Sequence, residues 1–406
     1  MASGRLVPVP DRRARIAVSA LFLTNGAVFA NLLPRFPEIK TDLALTNAVY
    51  GAVVAAFAAG ALVAGLAAGV IVRRFGSGRA AVVSTVVLAA LILVAGLAGS
   101  PVLLAGALFL GGACDAVTDV AQNAHGLRVQ QRYGRSIING LHAVWAAGAI
   151  LGGLMGAGAI ALGIDRGAHL SISAALFSAV ALTAYPFLLP GPDGAERGPH
   201  RRGAGRRAGA MVYAVLAALV AMAIAGAVIE DAGSTWATLY MRDDVGAPGA
   251  VAVLGYVALM GAMFIGRLTG DRLVDRFGER TVTFTGGLVI AVGMGVALAF
   301  PSVPGTVAGF AAVGLGVATL VPAAMHGADQ LPGLRAGTGL TAVAWLMRVG
   351  FVASPPVVGL LADAAGLRAG LLLVPAAGLL VAVLACIPGV LGGSGAASGT
   401  GRRPRW

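Results

Sequence analysis

Val72-Arg73-Arg74-Phe75-Gly76 recurs 202 residues later as Val274-Asp275-Arg276-Phe277-Gly278. At the same offset Gly148 meets Gly350, and Gly153 meets Pro355. A stretch repeated once at a fixed distance in a chain of 406 residues marks an internal duplication. Each copy ends an apolar run, and such runs fill the sequence. Twelve of them lie near 15–36, 47–72, 79–99, 101–124, 138–163, 168–190, 210–232, 249–268, 281–300, 302–325, 337–362 and 366–390. Each has roughly the 20 residues that a helix needs to cross about 30 Å of hydrocarbon. Most lack the polar face that a helix of this length carries in water.

Composition agrees. The chain is 58% hydrophobic and 11% charged, with 61 glycines, a content that would weaken helices in water. In lipid, small residues let helix backbones approach closely. Gly65-x-x-x-Gly69, Gly148-x-x-x-Gly152-x-x-x-Gly156 and Gly266-x-x-x-Gly270 read as packing faces of this kind. Cys114 and Cys386 fall inside apolar runs, so no disulfide framework is implied.

The net charge of +12 is not a nucleic-acid signature once the basic residues are sorted by connection. Twenty-three of them precede the first run, follow the last, or lie in or at the edge of every second connection between, including Arg12, Arg73, Arg128, Arg201, Arg267 at the end of its run, Arg276 and Arg402. The alternate connections hold Arg35, Lys40, Arg166, Arg242 and Arg368, and Arg348 lies within a run. The positive-inside rule puts both termini in the cytoplasm, as an even number of crossings requires. The basic start with its long apolar run reads as a retained signal-anchor. The expected organisation is a six-helix bundle over 1–190, a cytoplasmic linker over 191–209, a second six-helix bundle over 210–390 and a disordered basic tail over 391–406. Two halves in the same orientation, related by an axis along the membrane normal, are the plan of one large group of transporters.

The segment Asp271-Arg272-Leu273-Val274-Asp275-Arg276-Phe277-Gly278-Glu279-Arg280 resembles the loop signature of the major facilitator superfamily. Asp271 stands in place of its leading glycine, and in the first half Arg73 stands where the aspartate belongs. Three further segments resemble the fucose-permease-like bacterial branch: 119–124 with Asp119 and Asn123, 134–145 with His142 and Trp145, and 230–236 with Glu230, Asp231 and Trp236. That branch carries an acid immediately before the tryptophan, where this chain has Thr235, with Asp231 four positions earlier. The resemblance implies an all-α membrane protein of twelve transmembrane helices in two bundles. It further implies alternating access and a cytoplasmic latch formed by Asp271, Asp275, Arg276 and Arg280, with Arg73 as a positive partner.

Polar groups inside the runs are the candidate site, because a charge at the bilayer centre costs at least about 2.5–3.5 kcal/mol. Arg348 is near mid-span and cannot shed its proton, so it pairs with a carboxylate or with a substrate. Asp115, Asp119, Gln122 and Asn123 share one helix face. Carboxylates one turn apart in a medium of low dielectric repel each other, and a carboxylate able to exchange a proton is what a proton-coupled carrier requires. Asp115 is the first candidate, while Asp119 is expected to pair with Arg128 or Arg132. Glu230 and Asp231 near a possible helix break at Gly233 are candidates for coupling, with Trp236 for outer gating or as an aromatic-belt anchor. Asn25, Asn123, Trp145, Trp345 and Arg348 are expected to contact substrate. His125 and His326 read as loop-edge residues.

The expected function is secondary transport, proton-coupled, of a small polar organic solute. Gly148-x-x-x-Gly152 half-matches a pattern of exporters, which keeps drug or metabolite efflux as the alternative. No His-Glu-x-x-His, nucleophile–base pair or nucleotide-binding motif supports an enzyme or an ATP-driven pump, and no appended domain supports a receptor. The expected partners are a small solute, protons and the lipid bilayer. The carrier is expected to act as a monomer in the cytoplasmic membrane, without cofactor, metal or nucleic acid.

Overall fold

Residues 9–133, 137–191, 209–334 and 337–391 are described in the computed structural model. They form twelve helical segments long and apolar enough to cross a membrane: α1 (Asp11–Asp42), α2 (Asn47–Phe75), α3 (Ser77–Gly96), α4 (Pro101–Tyr133), α5 (Gly140–Ala161), α6 (Arg166–Phe187), α7 (Ala210–Asp243), α8 (Gly249–Phe277), α9 (Glu279–Ala299), α10 (Val303–Asp329), α11 (Thr338–Ala365) and α12 (Leu367–Cys386). Among the described residues there is no strand. Twelve crossings return the chain to the face on which it started, here called the terminal face.

The helix ends follow local chemistry. Thr46 caps α2 by accepting from the Val49 N–H at 3.3 Å, and Ser302 caps α10 by accepting from Gly305 at 3.2 Å. Asp165 accepts from Gly167 and Ala168 at the start of α6, and these bonds hold its carboxyl below the usual carboxylate range. The duplicated stretch turns on glycine both times. Gly76 at φ 83° and Gly278 at φ 82° reverse the chain between successive helices, in a region that side chains rarely adopt.

In the first half α1 packs on α5, α2 and α3 on α4, and α3 on α6; in the second, α9 packs on α10 and α12, α8 on α10, and α7 on α11 and α12. The glycines of α5 serve this packing. A Cβ at Gly148 would stand 2.1 Å from the Leu23 carbonyl oxygen, one at Gly152 2.4 Å from that of Ala27, and one at Gly156 2.6 Å from the Pro34 ring. Gly266 and Gly270 are pressed in the same way on Ala318 and Thr319. Gly65 and Gly69 are not a packing face. A Cβ there would meet only the guanidinium of Arg348 at 3.7 Å and that of Arg73 at 3.4 Å.

Several boundaries differ from the expectation. α4 runs on to Tyr133, so Arg128 and Arg132 are helical. The helix of α8 runs to Phe277, beyond the expected end near 268, so Arg267 lies about three turns before the helix end rather than at it. α7 does not break at Gly233, because that glycine admits the Leu259 side chain, 2.3 Å from where its Cβ would be, and the helix continues to Asp243. The break is in α10, between Val317 and Leu320. Pro322 explains it, since its ring clashes with the carbonyl four residues back and it has no N–H to give.

The two halves meet on one side. α2 packs along α11, and α5 along α8. The hydrogen bonds that join them, among the described residues, all lie from mid-membrane to the face away from the termini. Tyr50 donates to the Thr235 carbonyl at 3.1 Å, Tyr256 to that of Ala149 at 3.3 Å, and Arg242 to the Thr41 hydroxyl at 3.3 Å. Asp363 of α11 accepts from the Asn47 and Ala48 N–H groups at the start of α2, both at 2.8 Å.

Candidate functional site

Between the halves, polar side chains near the middle of the helices keep exposed surface, while the hydrogen bonds that join the halves among the described residues lie toward the opposite face. Asp115 and Asn123 are half-buried and Asp119 is exposed, all on α4. Three helices place the deepest group. The Trp145 indole N–H of α5 donates to Asn25 Oδ1 of α1 at 2.8 Å, and Asn25 Nδ2 donates to Asp115 Oδ1 at 2.7 Å. Asn25 cannot rotate without breaking both bonds, so its amide relays the position of the indole to the carboxylate. Gln122 is a tie rather than a site residue: it is buried and donates to the Leu21 carbonyl at 3.0 Å.

Asp119 does not pair with Arg128 or Arg132. Arg132 meets Asp11 at 3.0 Å, and Arg128 donates to the Pro190 carbonyl at 3.0 Å. Both basic residues lie on the helical extension of α4, two to four turns beyond Asp119. Asp119 instead accepts from Asn123, whose amide also donates to the Asp119 carbonyl, both at 2.9 Å.

The second half supplies the opposite charge. Arg348 of α11 is half-buried, has no hydrogen bond or ion pair among the described residues, and lies within electrostatic reach of both Asp115 and Asp119. Trp345, one turn away, is 45% exposed. Arg267 of α8 stands 3.7 Å from Glu230 of α7 and within reach of His142 across the cleft. Sequence reasoning missed Arg267. The signal was present: α2 ends at Phe75, and the 202-residue repeat carries that end to Phe277.

Above the cleft an aromatic chain crosses from one half to the other. Phe57 stacks on Phe29 at 4.2 Å, Phe29 meets Phe36 at 6.3 Å, Phe36 meets Tyr50 at 5.7 Å, and Tyr50 meets Trp236 edge-on at 4.8 Å. Trp236 is wholly buried, which removes the aromatic-belt reading. Beneath it Asp231 keeps one carboxylate oxygen buried without a partner, and its other oxygen is 3.5 Å from the Thr235 hydroxyl. Tyr50 and Asp363, which had no signal as isolated residues, therefore belong to the closure.

Among the described residues, those of the loop signature make no bridge between the halves. Arg73, Asp271, Asp275 and Arg276 are exposed, Arg276 lies over its neighbour Phe277, and Arg280 donates to the Cys386 carbonyl at 2.6 Å within the second half. His125 is not a loop-edge residue: it is buried, it pairs through Nδ1 with the Ser77 hydroxyl, and its Nε2 accepts from the Leu189 N–H. His326 is bonded to Glu279 and Gln330.

The Asp363 contact is a removable part of the closure. Asp363→Asn leaves one acceptor for two donors and removes the charge that faces the helix end, a loss of about 1 kcal/mol. The expected result is a severalfold larger population open on the face away from the termini, read as a longer-distance fraction between spin labels on the 43–46 and 244–248 loops. An unchanged distance distribution would show that the bond contributes nothing.

The family model described as Major Facilitator Superfamily matches residues 18–273 and 232–402. Membrane protein MosC of Rhizobium meliloti is 31% identical over 379 residues, covering 92% of this chain and 90% of that one. An uncharacterized transporter, y4wD, of Sinorhizobium fredii is 31% identical over 368 residues, covering 91% and 96%. Among solved structures, the nucleoside transporter NupG (a D323A mutant) superposes with a TM-score of 0.75 at 11% identity, covering 92% of this chain and 98% of that one. The transporter FucP in its outward conformation superposes with a TM-score of 0.59 at 17% identity, covering 94% and 99%. A duplicated bundle of twelve helices, sealed on one face around a charged cleft, thus has its relatives among membrane transporters, and this multi-pass membrane protein belongs to the Major Facilitator Superfamily.

Proposed function

We propose that the chain is a proton-coupled carrier of a small polar organic solute, sugar-like or a metabolite, in the cytoplasmic membrane. The observation that supports this reading most is Asp115, tied through Asn25 to Trp145 and facing Arg348, which has no ion-pair partner among the described residues. A carboxylate and a guanidinium at mid-membrane, held apart and wet, form a pair that a solute can bridge with hydroxyl or carbonyl groups. The cleft opens on the arginine-rich face, which the positive-inside rule makes cytoplasmic. In this reading the conformation corresponds to an inward-open state.

In this reading a solute enters between the halves when the outer face is open, contacting Asn25, Asn123, Trp145, Trp345 and Arg348. A proton taken up by Asp115 removes one of the charges that must otherwise be buried when the cleft occludes. Glu230 and Asp231 are the second candidates, and Asp119 shares the face of Asp115. The signature residues Asp271, Asp275, Arg276 and Arg280 act, in this reading, when the terminal face closes. The carrier works as a monomer and draws on the proton gradient rather than on ATP.

Proteoliposomes containing a pH dye test this, challenged first with pooled sugars and nucleosides and then with amphipathic drugs. The expected result is a proton influx evoked by the polar solutes and lost in Asp115→Asn, with solute counterflow retained. A response to drugs alone, driven by an outward-directed exchange, would establish export instead. A flux unaltered in the mutant would remove Asp115 from the coupling step.

A further inference from the structure

The two walls of the cleft carry opposite charges. Asp115 and Asp119 stand on α4 of the first half, and Arg348 on α11 of the second. Asp115 is engaged by Asn25, whereas Asp119 is exposed and takes a side-chain bond only from Asn123 of its own helix. Among the described residues neither Asp119 nor Arg348 has an ion pair, though each lies within electrostatic reach of the other.

Their depths match. A Cβ on Gly60 of α2 would stand 1.8 Å from the Phe109 carbonyl oxygen of α4 and 3.1 Å from the Ala113 nitrogen. α2 and α4 cross in the same direction, so Gly65, five residues on, lies about 7.5 Å nearer the terminal face. That is the level of residues 114–118 on α4, between Asp115 and Asp119. The Arg348 guanidinium reaches this level, 3.7 Å from where a Gly65 Cβ would be.

Closing the cleft around a solute takes both charges out of water, and a charge buried without a partner is strongly destabilising. In the proton-coupled reading a proton removes the charge of Asp115, which leaves Asp119 as the acid a solute meets. A neutral solute between the walls would hold Asp119 and Arg348 apart and neutralise neither. A lone anion would serve Arg348 and be repelled by Asp119, and a lone cation the reverse. A solute with both charges serves both walls. In its absence the two side chains can meet each other, so the empty carrier can close as well. We propose that the solute is a zwitterion, with its ammonium group on Asp119, its carboxylate on Arg348 and its body against the exposed Trp345. The inference rests on the cleft being the solute site, and not on the proton.

The test is thermal unfolding of the full chain in detergent with four pools as probes: amino acids and amino sugar acids, the matching amines, the matching carboxylates, and neutral sugars. The first pool is expected to raise the melting temperature, and the other three at equal concentration to leave it unchanged. Splitting that pool yields a single compound, whose deaminated and esterified analogues should bind about ten- to a hundredfold more weakly. In Asp119→Asn the compound and its deaminated analogue should bind equally, because the contact to the ammonium is gone. In Arg348→Gln the compound and its ester should do so. Each variant tests one end, so either carries the test if the other does not fold. If a variant weakens the compound and its analogues in parallel, the residue is structural and the proposal is overturned. Stabilisation by amines, carboxylates or sugars alone, or by no pool, would overturn it too. Zwitterion binding without proton influx in proteoliposomes would sustain this proposal and end the proton-coupled reading.

Discussion

Arg348→Gln is expected to abolish transport while leaving the protein at least as stable as the wild type. A buried charge with an ion-pair partner destabilises the fold when one member is removed, because the other is left uncompensated. Arg348 has no such partner among the described residues, and across the cleft a Cβ built on Gly65 would lie 3.7 Å from its guanidinium. Its removal relieves the cost of holding a cation near mid-membrane, so thermal unfolding should shift upward or not at all. The transport step loses a charge-assisted contact to the solute worth about 1.5–3 kcal/mol, and with it the partner that Asp115 and Asp119 face. Uptake per folded molecule should therefore fall on the order of a hundredfold. Arg348→Lys should restore little, since an ammonium on a shorter reach cannot offer two parallel donors. Counterflow and melting temperature measured on one preparation decide the matter. A fall in melting temperature matched by a proportional fall in uptake would make Arg348 a structural residue.

How far these residues could be read from the sequence depends on the kind of signal each carries. Arg348 and Asp115 were legible because a charge inside an apolar run has no cheap explanation in lipid. The halves were legible because duplication leaves a fixed offset, and the same offset would have placed the end of α8 correctly had it outweighed the charges at Arg267, Asp271 and Arg272. Those charges look like a membrane boundary only if every basic residue is taken to face water outside the bilayer. In an open cleft the water comes inside, and Arg267 sits in it. Tyr50 and Asp363 were not legible for another reason. Each stands near a helix end, where tyrosine and aspartate are common, and what makes them part of a closure is a contact to a helix 185 or 316 residues away in sequence. Gly65 and Gly69 failed in the reverse sense. Their spacing is that of a packing motif, yet in this state they face the cleft, and spacing alone says nothing about which of two conformations uses the face.

That last point gives the second large effect. Gly51→Val is expected to hold the transporter open on the face away from the termini. A Cβ at Gly51 would lie 2.2 Å from the Pro355 carbonyl oxygen and 2.7 Å from its carbon, and on α11 one at Gly359 would lie 2.3 Å from the Asn47 carbonyl oxygen. These are backbone atoms of helices that cannot yield by rotating a side chain, so α2 and α11 must separate. A carrier needs both states within a few kcal/mol of each other, and a penalty of about 5.5 kcal/mol moves a population from 99:1 to 1:99. An overlap of this depth between two backbones is of that order or larger. The variant should fold, since each bundle keeps its own core, and net transport should vanish. Spin labels on the 43–46 and 244–248 loops should report a lengthened distance. Gly65→Val has the opposite sign. Its Cβ meets nothing closer than Arg348 in the present state, so it should leave this state intact and obstruct closure of the terminal face, where α2 must come against α11. The same label pair should then stay at the short distance under conditions that lengthen it in the wild type. If both variants instead shift the distance in one direction, the halves do not rock about the cleft, and the alternating use of the two ends of α2 is wrong.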